Sequence, residues 1–502
     1  MSADALGRAA AATLLASFPG ERVPAWLLDR VAGGLGGVCL YGSNRGADVG
    51  AASSTIHGAR PGVLVALDEE GGDVTRLEAA TGSSVPGNAA LGAVDDIDLT
   101  RAVAAALGGA LRAIGIDLDL APCADANSDP ANPVIGVRSF GADPEVVARH
   151  TVAFVAGLQG AGVAACVKHF PGHGAVDVDS HLDLPTVPVS RERLWTRELV
   201  PFRAAVGAGV AAVMTGHLRV PALDGEPATV SHRILTGLLR DELGFTGAVV
   251  TDALDMAGIG GPAEIPANVV RAVAAGADLC CLGPDNTVEL VDACTSALLG
   301  AVSSGALPEA RLRDAAARVT ALRFLPRDRW PEPPFPRQVS SLAAIGAEAA
   351  RRALRIEGEL PPTLSGAHVV ELDRPANIAA GSVPWGLAAP LAAADSSTTA
   401  ERLPESADGD AVTGALAAAA RRPLVVVVRD AERRPAQAAL LDSLLAARPD
   451  AVVVDMGWPA AERPPGSATR IVTFGASRAS GEAAAAILVG AGAAISRRTT
   501  SG

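Results

Sequence analysis

Positive charge is in short supply in this chain. Lys and Arg number 42 against 55 Asp and Glu, a formal net charge of −13. That balance argues against nucleic acid as a partner, because phosphate backbones demand a basic surface. Long apolar runs are missing too: nothing approaches the roughly 20 residues needed to cross a bilayer, so no membrane span is expected. The segment AAAATLLASF near the N-terminus has the length of a secretory apolar region. Its leader carries Asp4 as well as Arg8 and no clear small-x-small cleavage site follows, so it is read as part of the fold. Cysteine is sparse, and the six present lie mostly inside apolar runs such as GVCLY, VAACVK and DLCCLG, with Cys280 and Cys281 adjacent. Buried free thiols of a reducing compartment fit that pattern better than a disulfide framework, and the cytoplasm is the expected location.

Several catalytic signatures are also missing. No G-x-S-x-G is present, which removes the serine nucleophile elbow. The absence of G-x-x-x-x-G-K-[ST] removes the phosphate-cradling loop. His169 and His173 stand four apart, as in a zinc HExxH helix, but Pro171 and Gly172 lie between them and no glutamate occupies the motif position. Neither a metal nor a cofactor is expected.

What the chain does have is apolar mass: 49% of its 502 residues are hydrophobic and 19% charged. A large core is easily buried, and the length predicts two or three domains. From residue 14 to about 325, short β-branched runs alternate with Ala-rich helical stretches. The candidate strands are LLASFP, GGVCLYGSN, GVLVALDEEGG, IDLDLAPCAD, VAACVKHF, AAVMTGHL, GAVVTDAL and ADLCCLG. Eight such runs with helices between them predict a (β/α)8 barrel of the TIM type over residues 1–325. A doubly wound open sheet is the alternative that pattern alone leaves standing.

Residues 326–339, PRDRWPEPPFPRQV, hold five prolines and read as a stiff linker. Beyond it, SSLAAIGAEAARRALRI reads as a helix, and LVVVVRD, AVVVDMG and RIVTFG as buried strands. Residues 340–502 are therefore expected to form a smaller α/β domain with a mainly parallel sheet. The Ala-, Pro- and Ser-rich stretch 374–423 carries no clear assignment.

In a parallel barrel, chemistry collects at the C-terminal ends of the strands. Asp68 ends LVALD, Asp125 follows LDLAPCA, Lys168 and His169 end AACVK, His217 ends VMTG, and Asp252 ends VVT. Five strands finishing on ionisable groups at one end predict a site. Converging carboxylates and long cationic donors suit a sugar or another polyol.

At this level of detail the barrel region resembles glycoside hydrolase family 3, in its β-N-acetylglucosaminidase (β-N-acetylhexosaminidase) branch. The likeness rests on LDEEGGDVTRL, IDLDLAPCADANSDPANPVIGVRSFGADP, VKHFPGHGAVDVDSHLDLP, VMTGHLRVPALDG and GFTGAVVTDALDM, in order over residues 14–325. The resemblance implies Asp252 as catalytic nucleophile and His181 as general acid/base, with Asp179 as its partner. It also implies that Asp68, Arg76, Arg138, Lys168 and His169 grip the terminal sugar. Most of the family outside this branch draws its acid, a glutamate, from the second domain, so the Asp179-Ser180-His181 triplet marks the subgroup. Pro171, Gly172 and Gly174 are then expected to shape a loop that swings the histidine over the sugar.

The implied chemistry is consistent. A retaining mechanism needs an ionised carboxylate at the anomeric carbon and a proton donor at the leaving oxygen. An imidazole titrates near neutrality and can do both halves of the proton work, with an aspartate to fix its tautomer. The family usually shows D-Q-E-G-G-R, whereas this chain has Asp68-Glu69-Glu70-Gly71-Gly72-Asp73, placing an anion where a cation is usual. Aromatics amount to 3% with the single tyrosine Tyr41, so a pocket acting on chain ends is expected rather than a long stacking cleft. The branch points to a small carbohydrate substrate, such as a cell-wall muropeptide in recycling, and to a monomer or homodimer. Phosphorolysis, with inorganic phosphate replacing water, and a non-catalytic sugar-binding role are the competing readings.

Overall fold

The computed structural model describes residues 3–44, 49–323, 342–360, 364–374, 378–460, 463–467 and 469–490. The proline-rich segment 326–339 and the C-terminal residues from 491 lie outside the described residues. Two compact units are present. The first takes in the described residues up to 70, then 95–135 and 139–323; the second comprises 71–94, 136–138 and the described residues from 342 onward. Two short stretches from the first half of the sequence therefore cluster with the second unit.

In the first unit, eight strands follow one another: β1 Leu14–Ala16, β2 Gly37–Leu40, β3 Leu64–Leu67, β4 Leu118–Asp119, β5 Ala164–Phe170, β6 Ala212–Thr215, β7 Ala248–Thr251 and β8 Cys280–Cys281. They pair in parallel in the order β7-β6-β5-β4-β3-β2-β1-β8. A parallel bridge between Val250 and Leu279 joins β7 to β8 and closes the ring. This is the eightfold barrel the alternation predicts, not the open sheet. The strands are buried along their lengths, which is why they read as continuous apolar runs. Leu15, Cys39, Ala66, Leu118, Cys166, Met214, Val250 and Cys281, one from each strand, fill the interior. All six cysteines are free and buried.

Helices between the strands cover the barrel. The helix Ile97–Ala113 starts at Asp96, whose carboxylate accepts from Asp98 N and Leu99 N at 3.1 and 3.0 Å. Leu99, Val103, Leu107 and Leu111 recur at i, i+4 on its buried face. It packs on the helix Pro144–Gly160 so closely that a methyl group at Gly157 would run into the Arg101 carbonyl.

The second unit holds β9 Arg355–Gly358, β10 His368–Leu372, β11 Thr399–Leu403, β12 Leu424–Val428, β13 Val452–Asp455 and β14 Thr469–Val472. Their order is β11-β10-β12-β13-β14-β9, parallel except for β9, which runs antiparallel to β14. Val425 and Val427 face one apolar layer and Val426 and Val428 the other, so β12 is buried on both sides. The expected helix through ARRALRI stops at Ala353; its last residues enter β9 instead. The unassigned stretch contributes a helix, Ala388–Ala394, then β11 and a second helix, Gly409–Ala418. Among the described residues no helix is long and apolar enough to cross a membrane.

Candidate active site

Strand β5 delivers the first charged group. Lys168 is only 2% exposed, and its ammonium lies 2.6 Å from Asp68 Oδ1, just past β3, and 2.8 Å from Glu70 Oε1. A lysine this deep is tolerable only when paired, and here two carboxylates share it. Nearby, Asp119 accepts from Glu69 N at 2.9 Å; burial pushes its carboxyl well above the usual range. The β3 and β5 ends thus gather carboxyl groups around one buried cation.

The next residue, His169, is held by Asp125. Its Nδ1 is 2.7 Å from Asp125 Oδ2, and the carboxylate also accepts from His169 N at 3.2 Å and His173 N at 2.6 Å. Burial raises the Asp125 pKa, but the His169 charge and these hydrogen bonds outweigh it and bring it down to about 2. The ionised carboxylate fixes the proton on His169 Nδ1 and turns Nε2 toward other partners. Cys123 Sγ, Asp125 and His169 offer donor atoms within 4.8 Å of one another. The thiol, however, points its own hydrogen bond at Asp125 Oδ2, 3.3 Å away, and the carboxylate is saturated by donors. The trio is built as a hydrogen-bonded clamp on His169.

From here the chain enters the loop with the Asp179-Ser180-His181 triplet. The glycines at its root serve close packing. Gly172 has φ +124°, and a Cβ there would lie 2.7 Å from Glu198 Cβ; a methyl at Gly174 would strike the Ala126 carbonyl. His173 is buried, and its Nε2 is 3.1 Å from Ser180 Oγ. Burial, helped by the His169 charge, lowers the His173 pKa to about 4, so this ring is neutral near pH 7. On the other side, Ser180 O accepts from Gly258 N at 3.2 Å, an approach that a side chain at Gly258 would block. Ser180 is therefore gripped from both sides, and its neighbour His181 is placed accordingly.

His181 Nδ1 lies 2.6 Å from Asp179 Oδ1, and the same oxygen accepts the His181 backbone N–H at 2.9 Å. Burial pushes the Asp179 pKa up, but its hydrogen bonds to His181 prevail and hold it below the usual carboxylate value. Asp179 therefore stays ionised, keeps a proton on Nδ1 and directs proton exchange to Nε2.

Asp252 follows directly on β7. One of its oxygens accepts from Ala253 N at 2.8 Å. Burial opposes its ionisation, yet His217, His169 and His181, in that order, together with the Ala253 hydrogen bond, set its pKa below the ordinary value. His217 is buried, and burial lowers its pKa. Its Nε2 donates to Ala253 O at 2.9 Å, which leaves Nδ1 to accept from Thr229 Oγ1 at 2.8 Å. That neutral ring steadies the backbone carrying Asp252.

The first unit accordingly brings Asp68, Lys168, His169, Asp179, His181 and Asp252 onto the strand ends and loops of one barrel. Arg76 and Arg138 belong to the second unit. There the Arg76 guanidinium donates to Ala379 O at 2.9 Å and Ala380 O at 3.2 Å, and Arg138 O accepts from Asn88 Nδ2 at 2.7 Å. Sequence reasoning missed Glu70 as the second partner of Lys168, and His173 with Ser180 as a brace for the dyad. It had noted Asp125 and His217 at strand ends without a role. Asp73, the anion in place of the family's usual arginine, is nearly buried in the second unit. It pairs with Arg429 and accepts from Ala476 N at 3.0 Å, so a cation from the C-terminal half answers the changed charge.

A closed parallel barrel with a buried lysine–carboxylate cluster, an ionised aspartate on one strand end and an aspartate-oriented histidine on a loop is the apparatus of a glycoside hydrolase. The chain belongs to glycosyl hydrolase family 3, whose N terminal domain matches residues 43–322. A β-hexosaminidase of Stenotrophomonas maltophilia is 38% identical over 288 residues, 54% of this chain and 85% of that protein. β-Hexosaminidase A of Pseudoalteromonas piscicida is 44% identical over 214 residues, 39% of this chain but only 36% of that protein. Among solved structures, a glycoside hydrolase family 3 β-N-acetylglucosaminidase from a Paenibacillus species superposes with a TM-score of 0.84. It has 33% identity and covers 97% of this chain and 96% of its own.

Proposed function

We propose that the protein is an exo-acting, retaining β-N-acetylglucosaminidase that releases terminal β-linked N-acetylglucosamine from cell-wall muropeptides or related glycans. Asp252 attacks the anomeric carbon to give a covalent glycosyl-enzyme. His181 protonates the departing oxygen through Nε2, then takes a proton from the incoming water. Asp179 holds the ring in the required tautomer and stabilises the imidazolium. Asp68, Lys168 and His169 bind the hydroxyls of the terminal ring. The single observation that carries this reading is the Asp179–His181 pair at 2.6 Å on a braced loop of the same barrel that holds an ionised Asp252. The names of the hexosaminidase relatives and of the Paenibacillus enzyme support the sugar. The buried free thiols support a cytoplasmic setting, and the protein is taken as a monomer or homodimer.

A panel of aryl β-glycosides, run with and without inorganic phosphate, tests the proposal. Release from the N-acetylglucosaminide well above the glucoside, with free sugar as product, is the expected result. Sugar 1-phosphate as the main product would make the protein a phosphorylase, since a neutral histidine repels phosphate less than a glutamate does. No turnover on any member would leave a binding protein.

A further inference from the structure

The second unit contains a feature that the proposed hydrolysis does not use. After β10 the chain passes to β11 on one side, and it then returns to β12 on the other. The carboxyl ends of β10 and β12 therefore flank a topological switch point, the place where open α/β sheets take their ligands. Arg374 lies two residues beyond β10, and Arg429 immediately follows β12. Both are nearly buried, with side chains 12% and 8% exposed. Arg374 donates to Asp430 Oδ2 at 2.9 Å, but Asp430 also pairs with Arg433; Arg429 pairs with Asp73. The charges that act most strongly on Arg374 are two cations, Arg429 and Arg433, and two anions, Asp430 and Asp73, and Glu405 also interacts with it.

The hydrogen bonding leaves two donors unused. The Nε atoms of Arg374 and Arg429 are buried and meet no acceptor among the described residues. Arg429 also lies over the Trp385 ring at 5.4 Å, which fixes the plane of its fork. Burial and the neighbouring Arg429 charge pull the Arg374 pKa down to about 10. A planar, fixed guanidinium pair is suited to an oxyanion, which it engages through two parallel N–H donors.

We propose that the switch point between β10 and β12 is a binding site for a small oxyanion, phosphate or carboxylate, held by Arg374 and Arg429. The site is distinct in residues from the barrel chemistry and does not rest on the proposed reaction.

The test is calorimetric titration of the full-length protein with inorganic phosphate and, separately, with lactate, at ionic strength balanced by chloride. A saturable isotherm that Arg374→Gln weakens at least tenfold is the expected result. Binding of phosphate alone assigns the site to free or esterified phosphate; binding of lactate alone assigns it to a carboxylate. Should Arg374→Gln not fold, Arg374→Lys keeps the charge, loses the fork, and is expected to bind more weakly than wild type. No saturation with either anion, or equal binding by wild type and the folded variants, overturns the proposal.

Discussion

Asp179 Oδ1 receives both the ring Nδ1 and the backbone N–H of His181, at 2.6 and 2.9 Å. One oxygen thus sets the tautomer and the local backbone together. His181→Ala is expected to slow glycosides with poor leaving groups by about 10²–10⁴-fold, the usual worth of general acid help. Aryl glycosides whose leaving groups need no proton should be largely spared. Asp179→Asn should show the same split in milder form. Measuring kcat/KM across leaving groups decides the matter: equal loss at both ends of the series would remove His181 from the acid role.

Asp252 is kept ionised by the histidines around it and by the Ala253 N–H, despite its burial. Asp252→Ala is expected to lower kcat by about 10³-fold or more, on the scale of losing a principal charged group at the reacting centre. A slow fluorinated substrate should leave a sugar adduct on the wild-type peptide containing Asp252, visible by mass spectrometry. An adduct on a different carboxylate would displace Asp252 from the nucleophile role.

Lys168 joins Asp68 to Glu70 in a setting where its side chain is 2% exposed. Lys168→Met takes the shared cation from two carboxylates, and removing one partner of a buried ion pair typically costs about 3–5 kcal/mol. Thermal unfolding should show a lower Tm for this variant. Lys168→Met combined with Glu70→Gln should recover part of the loss, because the neutral amide no longer needs the cation. If the double variant is no more stable than the single one, Glu70 is not the partner that matters.

Much of this was legible in the sequence, for physical reasons. Barrel strands buried on both faces print themselves as short apolar runs, and ionisable groups at their ends stand out against that background, as Asp68, Lys168 and Asp252 do. Glu70 did not stand out, because its role depends on the chain turning back to Lys168, about 100 residues away in sequence. His173 and Ser180 are common residues whose contact appears only once the loop has closed. Strand β11, TAERL, is largely exposed, so it lacks the apolar signature that marked β12 and β13. The pairing of Asp73 with Arg429 spans 356 positions, and from composition alone Asp73 looked like an uncompensated change of charge.

His173 makes the acid side of the stability profile predictable. Its folded pKa is lowered to about 4, against an ordinary imidazole value near 6.5. Because the unfolded chain binds the proton more readily, stability is fully present above about pH 6.5 and is lost as the pH falls toward 4. The shift corresponds to up to roughly 3 kcal/mol across that window. Asp125 extends the slope lower, since its carboxylate, held at about 2, gives up its contribution only from about pH 4 downward. His173→Gln preserves a hydrogen-bonding group beside Ser180 but cannot titrate. Calorimetric unfolding should therefore find a flatter profile between pH 6.5 and 4, with the stability of the variant relative to wild type rising as the pH falls. The slope below pH 4 should persist but weaken, because Asp125 remains while losing the His173 charge that helps to lower its pKa. Parallel curves for the two proteins through the upper window would show that His173 is not the group that titrates there.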